Sequence, residues 1–528
     1  MKTIKNKNIT NLKFKKKINK IDKLKDCIVS TNIDENFNIM SQIYNQSINT
    51  DIIFRKFNFE FNDQIYRCFL VMIDGLSARD SINDFVLKPL MQNKEKNINI
   101  PVDTFVENFL IYQNSVKRQT NIQKIIESIN MGDTAIFIDT LDIAFVCDAK
   151  QYEHRTVSSP LNETVIKGPQ EAFVESIRAN TSLLRKLLND EALVFESISI
   201  GEKSKTTCMI GYISDIANPK LIKKVKERLN NVSIDYLFDS GQLEQLIEDH
   251  PFMSFTQIIS TERPEKVASH LAEGRICIIV NNSPYVLVVP CTFWDLFHSP
   301  EDYNMKFQFS NFIRLIRIIA YAFSLFLPAV YIAITSYHVD LLPTDLLFSI
   351  AAVKETIPFP LIIEVLIMEL SFELIREASA RMPGSVGSSI GILGAVLLGQ
   401  ASVDANLVSP ILIFIVAITG ICSFATPNYS LALGFRFIRF MYIILASFMG
   451  FLGILFGLIL HLIYICSLST FDIPYMILFS NYQAKPFRDG IAISPIWLDS
   501  FRPPFLKPLD KRKSSDISRK WVKRKDVN

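Results

Sequence analysis

The stretch Glu364–Ser379, EVLIMELSFELIREAS, has the Leu, Ile, Val, Met and Phe content of a membrane helix. It also carries Glu364, Glu369, Glu373 and Glu377, with a single basic residue, Arg376. A bare carboxylate is costly in hydrocarbon, so the segment must meet water, a partner charge or an aqueous path. On a helix turning about 100° per residue, with Glu364 at zero, Arg376, Glu369, Glu373 and Glu377 fall at roughly 120°, 140°, 180° and 220°. They form one acidic stripe, with Ile367, Met368, Phe372, Leu374 and Ile375 opposite and Glu364 standing apart among them. Glu369–Glu373 and Glu373–Glu377 are like-charged pairs four apart, which oppose a helix unless water, cations or a partner compensates.

Just upstream, KETIPFP (354–360) breaks any helix and starts a new one at its prolines, so this element is discontinuous. Irregular backbone and charge at membrane depth are tolerated only where they face protein or a watery cavity. Three readings of the stripe stay open: a helix lying on the membrane surface, a packing helix whose acids pair with basic residues of a partner, or one lining an aqueous path. In the third, copies around an oligomer axis make an acidic ring that favours cations.

Outward from this stretch, Ile318–Ser336 is a run of 19 uncharged, mainly apolar residues, long enough to cross hydrocarbon. Met382–Val403, Ala405–Phe435 and Phe440–Phe471 are three more such runs. Arg314 and Arg317 just before the first run place the preceding half in the cytoplasm by the positive-inside rule. Arg436 and Arg439 are expected at a cytoplasmic turn between the last two runs. The basic C-terminus, with KPLDKRK and RKWVKRK, argues for the same side. Both ends inside require an even number of crossings, so the glutamate segment and the short piece PYMILF (474–479) either both cross or both stay interfacial. Gly387, Gly391, Ala395 and Gly399 recur four apart on one face, the register by which small residues let membrane helices approach, within one chain or between subunits. Asp404, at the end of that run, is expected at the lipid–water boundary.

The 528 residues have a mean hydropathy of +0.22, concentrated in the second half. A net charge of +3 is too small to indicate a nucleic-acid partner. Ten lysines lie within the first 26 residues with no apolar core, which excludes a secretory signal peptide. Residues before 310 alternate strand and helix patterns. IYRCFLVMIDGL (65–76), TAIFIDTLDIAFVCDA (134–149), TTCMIGYIS (206–214) and RICIIVNNSPYVLVVP (275–290) read as strands or hairpins, and PKLIKKVKERLNN (219–231) as an amphipathic helix. GPQEAFVESIRANTSLLRKLL (168–188) reads as a helix with Pro169 at its first position. Within it Glu175 and Arg178, three apart, either pair with each other or contact another subunit.

The fold class expected is therefore a multi-domain membrane protein, with a cytoplasmic α/β N-terminal region of two subdomains followed by an α-helical polytopic membrane domain. The expected divisions are a Lys-rich tail (1–50), α/β subdomains at 51–200 and 201–305, a membrane domain of four to six segments at 306–480, broken at 354–360, and a basic tail at 481–528. No catalytic triad, nucleotide loop or metal-ligand spacing is found: GEKSK (201–205) lacks the upstream glycine of a phosphate loop, and the six histidines and eight cysteines are scattered. No cofactor or enzyme activity is expected.

Several of these segments together resemble the A subunits of GerA-type nutrient germinant receptors of endospore-forming Firmicutes. They include MIDGLSARDSINDFVLKPLM (72–91), HRTVSSPLNETVIKGPQEAFVESIRANTSLLRK (154–186), IPFPLIIEVLIMELSFELIREASARMP (357–383) and LLGQASVDANLVSPILIFIVAITGICSFATP (397–427). Thr256 and Glu265 stand where the family pattern has proline and aspartate. The resemblance implies a multi-pass subunit of the spore inner membrane, with its N-terminal domain and C-terminal tail cytoplasmic. It implies two partners, a transporter-like B subunit that carries the nutrient pocket and a lipoprotein C subunit. It further implies A subunits that oligomerise in membrane lipid and conduct monovalent cations when nutrient binds. That raises the acidic-ring reading of Glu369, Glu373 and Glu377 by analogy only.

Overall fold

The computed structural model describes residues 27–93, 95, 98–150, 160, 163–165, 167–381, 399–477 and 490–513. After a helix α1 (Ile33–Ile43), strands β1 (Ile52–Phe61) and β2 (Gln64–Ile73) make a hairpin. Its turn, Asn62-Asp63, has both residues at positive φ (49° and 62°), the conformation a tight hairpin needs. A helical segment at 79–92 and β3 (Val116–Gln119) follow. Then come α2 (Ile122–Asn130), β4 (Thr134–Ile138) and β5 (Ala144–Cys147). All pairings are antiparallel and the sheet order is β1-β2-β4-β5-β3.

The second sheet repeats this arrangement. Helix α3 (Ile177–Leu187) leads into β6 (Leu193–Ile200) and β7 (Thr206–Ile213), then α4 (Pro219–Asn230) and α5 (Ser240–Ile247). Strand β8 (Ile259–Thr261), α6 (Pro264–Glu273), β9 (Ile276–Val280) and β10 (Val286–Val289) complete it in the order β6-β7-β9-β10-β8. Five strands on, the order is the same. Gly132 after α2 and Gly274 after α6 both hold φ at +100° where a helix turns into the next strand. The hairpin β6–β7 crosses the 200/201 division expected from the sequence, so β6 belongs to the second sheet.

The helix over 168–188 starts later than its proline implied. Ser176 caps α3, accepting from the amide of Ala179, and the chain before it, Pro169 included, is non-helical. Glu175 is therefore off the helix, its carbonyl accepting from the Asn282 amide, while Arg178 reaches across to Asp74 of the first subdomain. Beside that contact, Arg185 grips Asp51 through two hydrogen bonds (2.7 and 2.8 Å), both groups buried, and ties the two sheets together.

The second half is a helical bundle of α7 (Phe307–Tyr337), α8 (Thr344–Lys354), α9 (Leu361–Arg381), α10 (Pro410–Phe424), α11 (Tyr429–Met449) and α12 (Phe451–Ser467). Helices α7 and α11 are long and apolar enough to cross a membrane; α10 and α12 are shorter apolar helices. Tyr337, at the end of α7, donates to the Ser447 carbonyl near the end of α11 (2.6 Å), so these two run parallel, away from the soluble half. Gly450, at φ +58°, turns the chain back into α12. Helix α10 runs the other way, since Ser409 at its start meets Tyr331 towards the end of α7 (3.4 Å). Helix α9 runs alongside α10 in the same direction, Glu364 meeting Ser409 and Arg376 meeting Ser423. The break between α8 and α9 falls at 355–360, on the prolines.

Helix boundaries elsewhere differ from the hydropathy runs. The chain breaks at 425–428 and at Gly450, not at Arg436–Arg439, which lie inside α11. The apolar piece at 474–477 is no membrane segment: Tyr475 is fully buried in the core of the second sheet, its hydroxyl on the Thr256 carbonyl (2.9 Å). That same core takes in Leu431 and Phe435 of α11 and Ile465 and Leu468 around the end of α12, so sheet and bundle share one apolar interior. Residues 490–513 pack back on the soluble half, Leu509 donating to the Ile216 carbonyl (2.8 Å) and Lys513 pairing with Glu273 (3.1 Å).

Candidate functional site

The acidic stripe of α9 turns towards α11. Glu369 and Arg439 are both fully buried, 3.1 Å apart (Oε2 to Nη1), and the other arm of the Arg439 guanidinium reaches Glu373 Oε1 at 3.1 Å. One planar, two-armed cation thus bridges the like-charged pair four residues apart, which lifts the penalty read in the sequence. Arg436 contacts Glu373 Oε2 (3.3 Å), and Arg376, a turn away on α9, contacts both Glu373 oxygens (3.1 and 3.2 Å). The cluster holds two carboxylates against three guanidiniums. Its excess positive charge is spread onto neutral groups. Arg376 donates to Ser423 Oγ (3.1 Å) and lies over the rings of Phe372 and Phe424, while Arg436 lies near Tyr429.

The other two glutamates go elsewhere. Glu364 is buried and accepts from the Ser409 amide (3.3 Å), at the positive end of α10. Glu377 is exposed and bonds Arg381 on its own helix (2.7 Å). Within one chain the four acids therefore form no continuous exposed belt: two are consumed by α11, one caps α10, and one faces outward. Of the small-residue register, Gly387, Gly391 and Ala395 lie outside the described residues. Gly399 faces α10, where an added Cβ would sit 3.6 Å from Ile413. Asp404 is exposed and accepts from Gln400 (3.0 Å).

A second charge cluster sits where the soluble half enters α7. Arg314 and Arg317 are buried, and both pair with the buried Asp302, at 3.0 and 2.8 Å. Between the two clusters runs an aromatic stack: Tyr321 against Phe435 (4.2 Å between centroids), Phe293 and Phe297 against Tyr321, and Phe255 against Phe435 and His461. Helix α11 joins all of it. Its Leu431 and Phe435 belong to the soluble core, and its Arg436 and Arg439 hold α9. A shift of the second sheet against α11 would be felt at Glu369 and Glu373.

Reading by charge alone missed Arg436 and Arg439 as partners, because arginines flanking an apolar run signal a membrane edge. The available clue was complementarity: two arginines three apart and two glutamates four apart, each pair on one helical face. No group of His, Cys, Asp and Glu suited to hold a metal occurs among the described residues.

A model of the Bacillus/Clostridium GerA spore germination protein family matches residues 38–505. The spore germination protein KA of Bacillus subtilis (strain 168) is 37% identical over 462 residues, covering 88% of this chain and 85% of that protein. The uncharacterized membrane protein YfkQ of the same organism is 37% identical over 487 residues, 92% and 93% of the two chains. A crystal structure of the N-terminal domain of the A subunit of the Bacillus megaterium spore germinant receptor GerK3 is 28% identical. It covers 50% of this chain and 97% of that one, at a TM-score of 0.38.

Proposed function

The chain belongs to the GerA family of spore germination proteins, and on that premise we propose that it is the A subunit of a nutrient germinant receptor, lodged in the spore inner membrane with its sheets and C-terminal segment on the cytoplasmic side. It works with a transporter-like B subunit, which carries the nutrient pocket, and a lipoprotein C subunit. Nutrient binding there is passed to the A subunit, whose oligomer opens a path for monovalent cations. Helices α7 and α11 lead away from the soluble half while α9, α10 and α12 return, a pattern that supports several crossings.

The observation that carries this reading is the sharing of α11 between the soluble core and the buried Glu–Arg cluster on the proline-started helix α9. It supplies a physical route from a domain movement to a membrane helix. In this arrangement Glu369 and Glu373 set the position of α9, and Glu377, exposed beside Arg381, is the acid of the stripe left to line an aqueous path between subunits. The test is monovalent-cation conductance of the purified chain in liposomes, with and without the B and C subunits, before and after nutrient. Nutrient-dependent conductance that falls in Glu377→Gln at unchanged protein level is expected. No conductance from the complete receptor would refute the cation path; full conductance in Glu377→Gln would remove this face of α9 from it.

A further inference from the structure

We propose that residues 250–256 form a rigid aromatic wedge by which the soluble half dips into the near leaflet, with Phe252 in contact with lipid. The inference rests on the bundle lying in a membrane. Its depth follows from helix geometry. The loop is fastened to α11 one turn in: the Ser254 carbonyl oxygen lies 2.5 Å from where a Cβ on Gly434 would stand, so only glycine admits it. Phe255 packs on Phe435 and His461, and Phe435 packs on Tyr321 of α7. Tyr321 is 16 residues before Tyr337 at the far end of α7, about 24 Å at 1.5 Å per residue. Hydrocarbon is about 30 Å thick, so the level of Tyr321 and Phe255 is about 6 Å inside the near boundary.

The loop is built to stay at that level. The Met253 amide donates to the His250 carbonyl (3.1 Å), closing a turn. The buried Gln257 side chain bonds both His250 backbone groups, accepting from its amide (3.0 Å) and donating to its carbonyl (2.7 Å). These bonds satisfy the His250 amide and carbonyl and the Met253 amide, part of what irregular chain needs at membrane depth. Met253 and Phe255 point into the shared core, while Phe252, at the third position of the turn, is fully exposed. Leu433 and Phe437, the exposed neighbours of Gly434 on α11, continue the apolar surface beside it. A fully exposed phenylalanine on a braced turn, level with the hydrocarbon flank of a bundle, fits acyl chains, where a mobile or aqueous loop would carry a polar tip.

The test places tryptophan at Phe252 in full-length protein whose three native tryptophans, Trp294, Trp497 and Trp521, are changed to Phe, reconstituted in phosphatidylcholine vesicles with acyl-chain-brominated lipid. A matched control carries tryptophan at Phe323, exposed on α7 two residues beyond Tyr321. Comparable quenching of both by brominated lipid, with weak quenching of Phe252→Trp by acrylamide, is expected. Quenching of the Phe323 site alone, whether water or another protein copy covers Phe252, overturns the wedge and leaves the membrane reading intact. Quenching of neither overturns the membrane reading itself. If the tryptophan-free background does not fold, each tryptophan is placed in the wild-type chain and its quenching taken in excess of the parent; excess at both sites supports the wedge, and excess at Phe323 alone overturns it.

Discussion

Replacing Arg439 by Met tests the buried cluster most directly. Methionine matches the apolar stem of arginine as far as Nε and removes the guanidinium, with its charge and its N–H donors. Glu369 is then left fully buried, with no hydrogen-bond partner for either carboxylate oxygen among the described residues. Breaking a buried ion pair by removing one partner costs about 3–5 kcal/mol, because the remaining charge stays desolvated. Glu373 loses less, since Arg376 and Arg436 still hold it. Adding Glu369→Gln to Arg439→Met removes the orphaned charge, so the double variant should be more stable than R439M alone, with a coupling of about 1–3 kcal/mol. The assay is the full chain in detergent, melted in parallel as wild type, both single variants and the double, with unfolding followed by tryptophan fluorescence. Additive losses, or wild-type stability in R439M, would refute the pairing and return the stripe to an outward-facing role.

Asp302→Asn deprives Arg314 and Arg317 of their shared carboxylate and should lower stability by a similar about 3–5 kcal/mol, with the entry to α7 cut faster in limited proteolysis. Gly434→Ala pushes a methyl against the Ser254 carbonyl and should cost about 1–3 kcal/mol in the same melts, with more from larger side chains. Burial pushes the Glu273 carboxyl up, but His270, Lys513 and Arg275 outweigh it and hold the group at about 2 against an ordinary 4.5. A depressed carboxylate contributes stability that is complete above its unfolded value and is lost as pH falls from 4.5 through about 2. Melts across that range should be less pH-dependent in Glu273→Gln than in wild type.

The N-terminal strands were legible because each buried strand is a short β-branched or aromatic run bounded by turn residues, as in TAIFI (134–138) and ICIIV (276–280). The duplication of the two sheets was not legible, since strand order is a matter of which edges meet and leaves no residue-level repeat. Pro169 misled because proline suits the first helical turn, yet here Ser176, with an oxygen for the Ala179 amide, made the better cap. PYMILF misled because hydropathy counts apolar residues without saying whether lipid or a protein core receives them.

The amino-acid sequence on its own determined the composition of the two halves, the helix break at the prolines and the amount of charge that the bundle had to accommodate, because these depend on backbone chemistry and on residues near in the chain. Tertiary structure alone decided where that charge goes. Glu373 and Arg439 are 66 residues apart, and only the packing of α9 on α11 brings them to contact distance, turning an apparent acidic belt into buried ion pairs. The same packing, by lodging Phe435 in the soluble core and Arg439 against α9, joins two regions that the chain itself presents as separate.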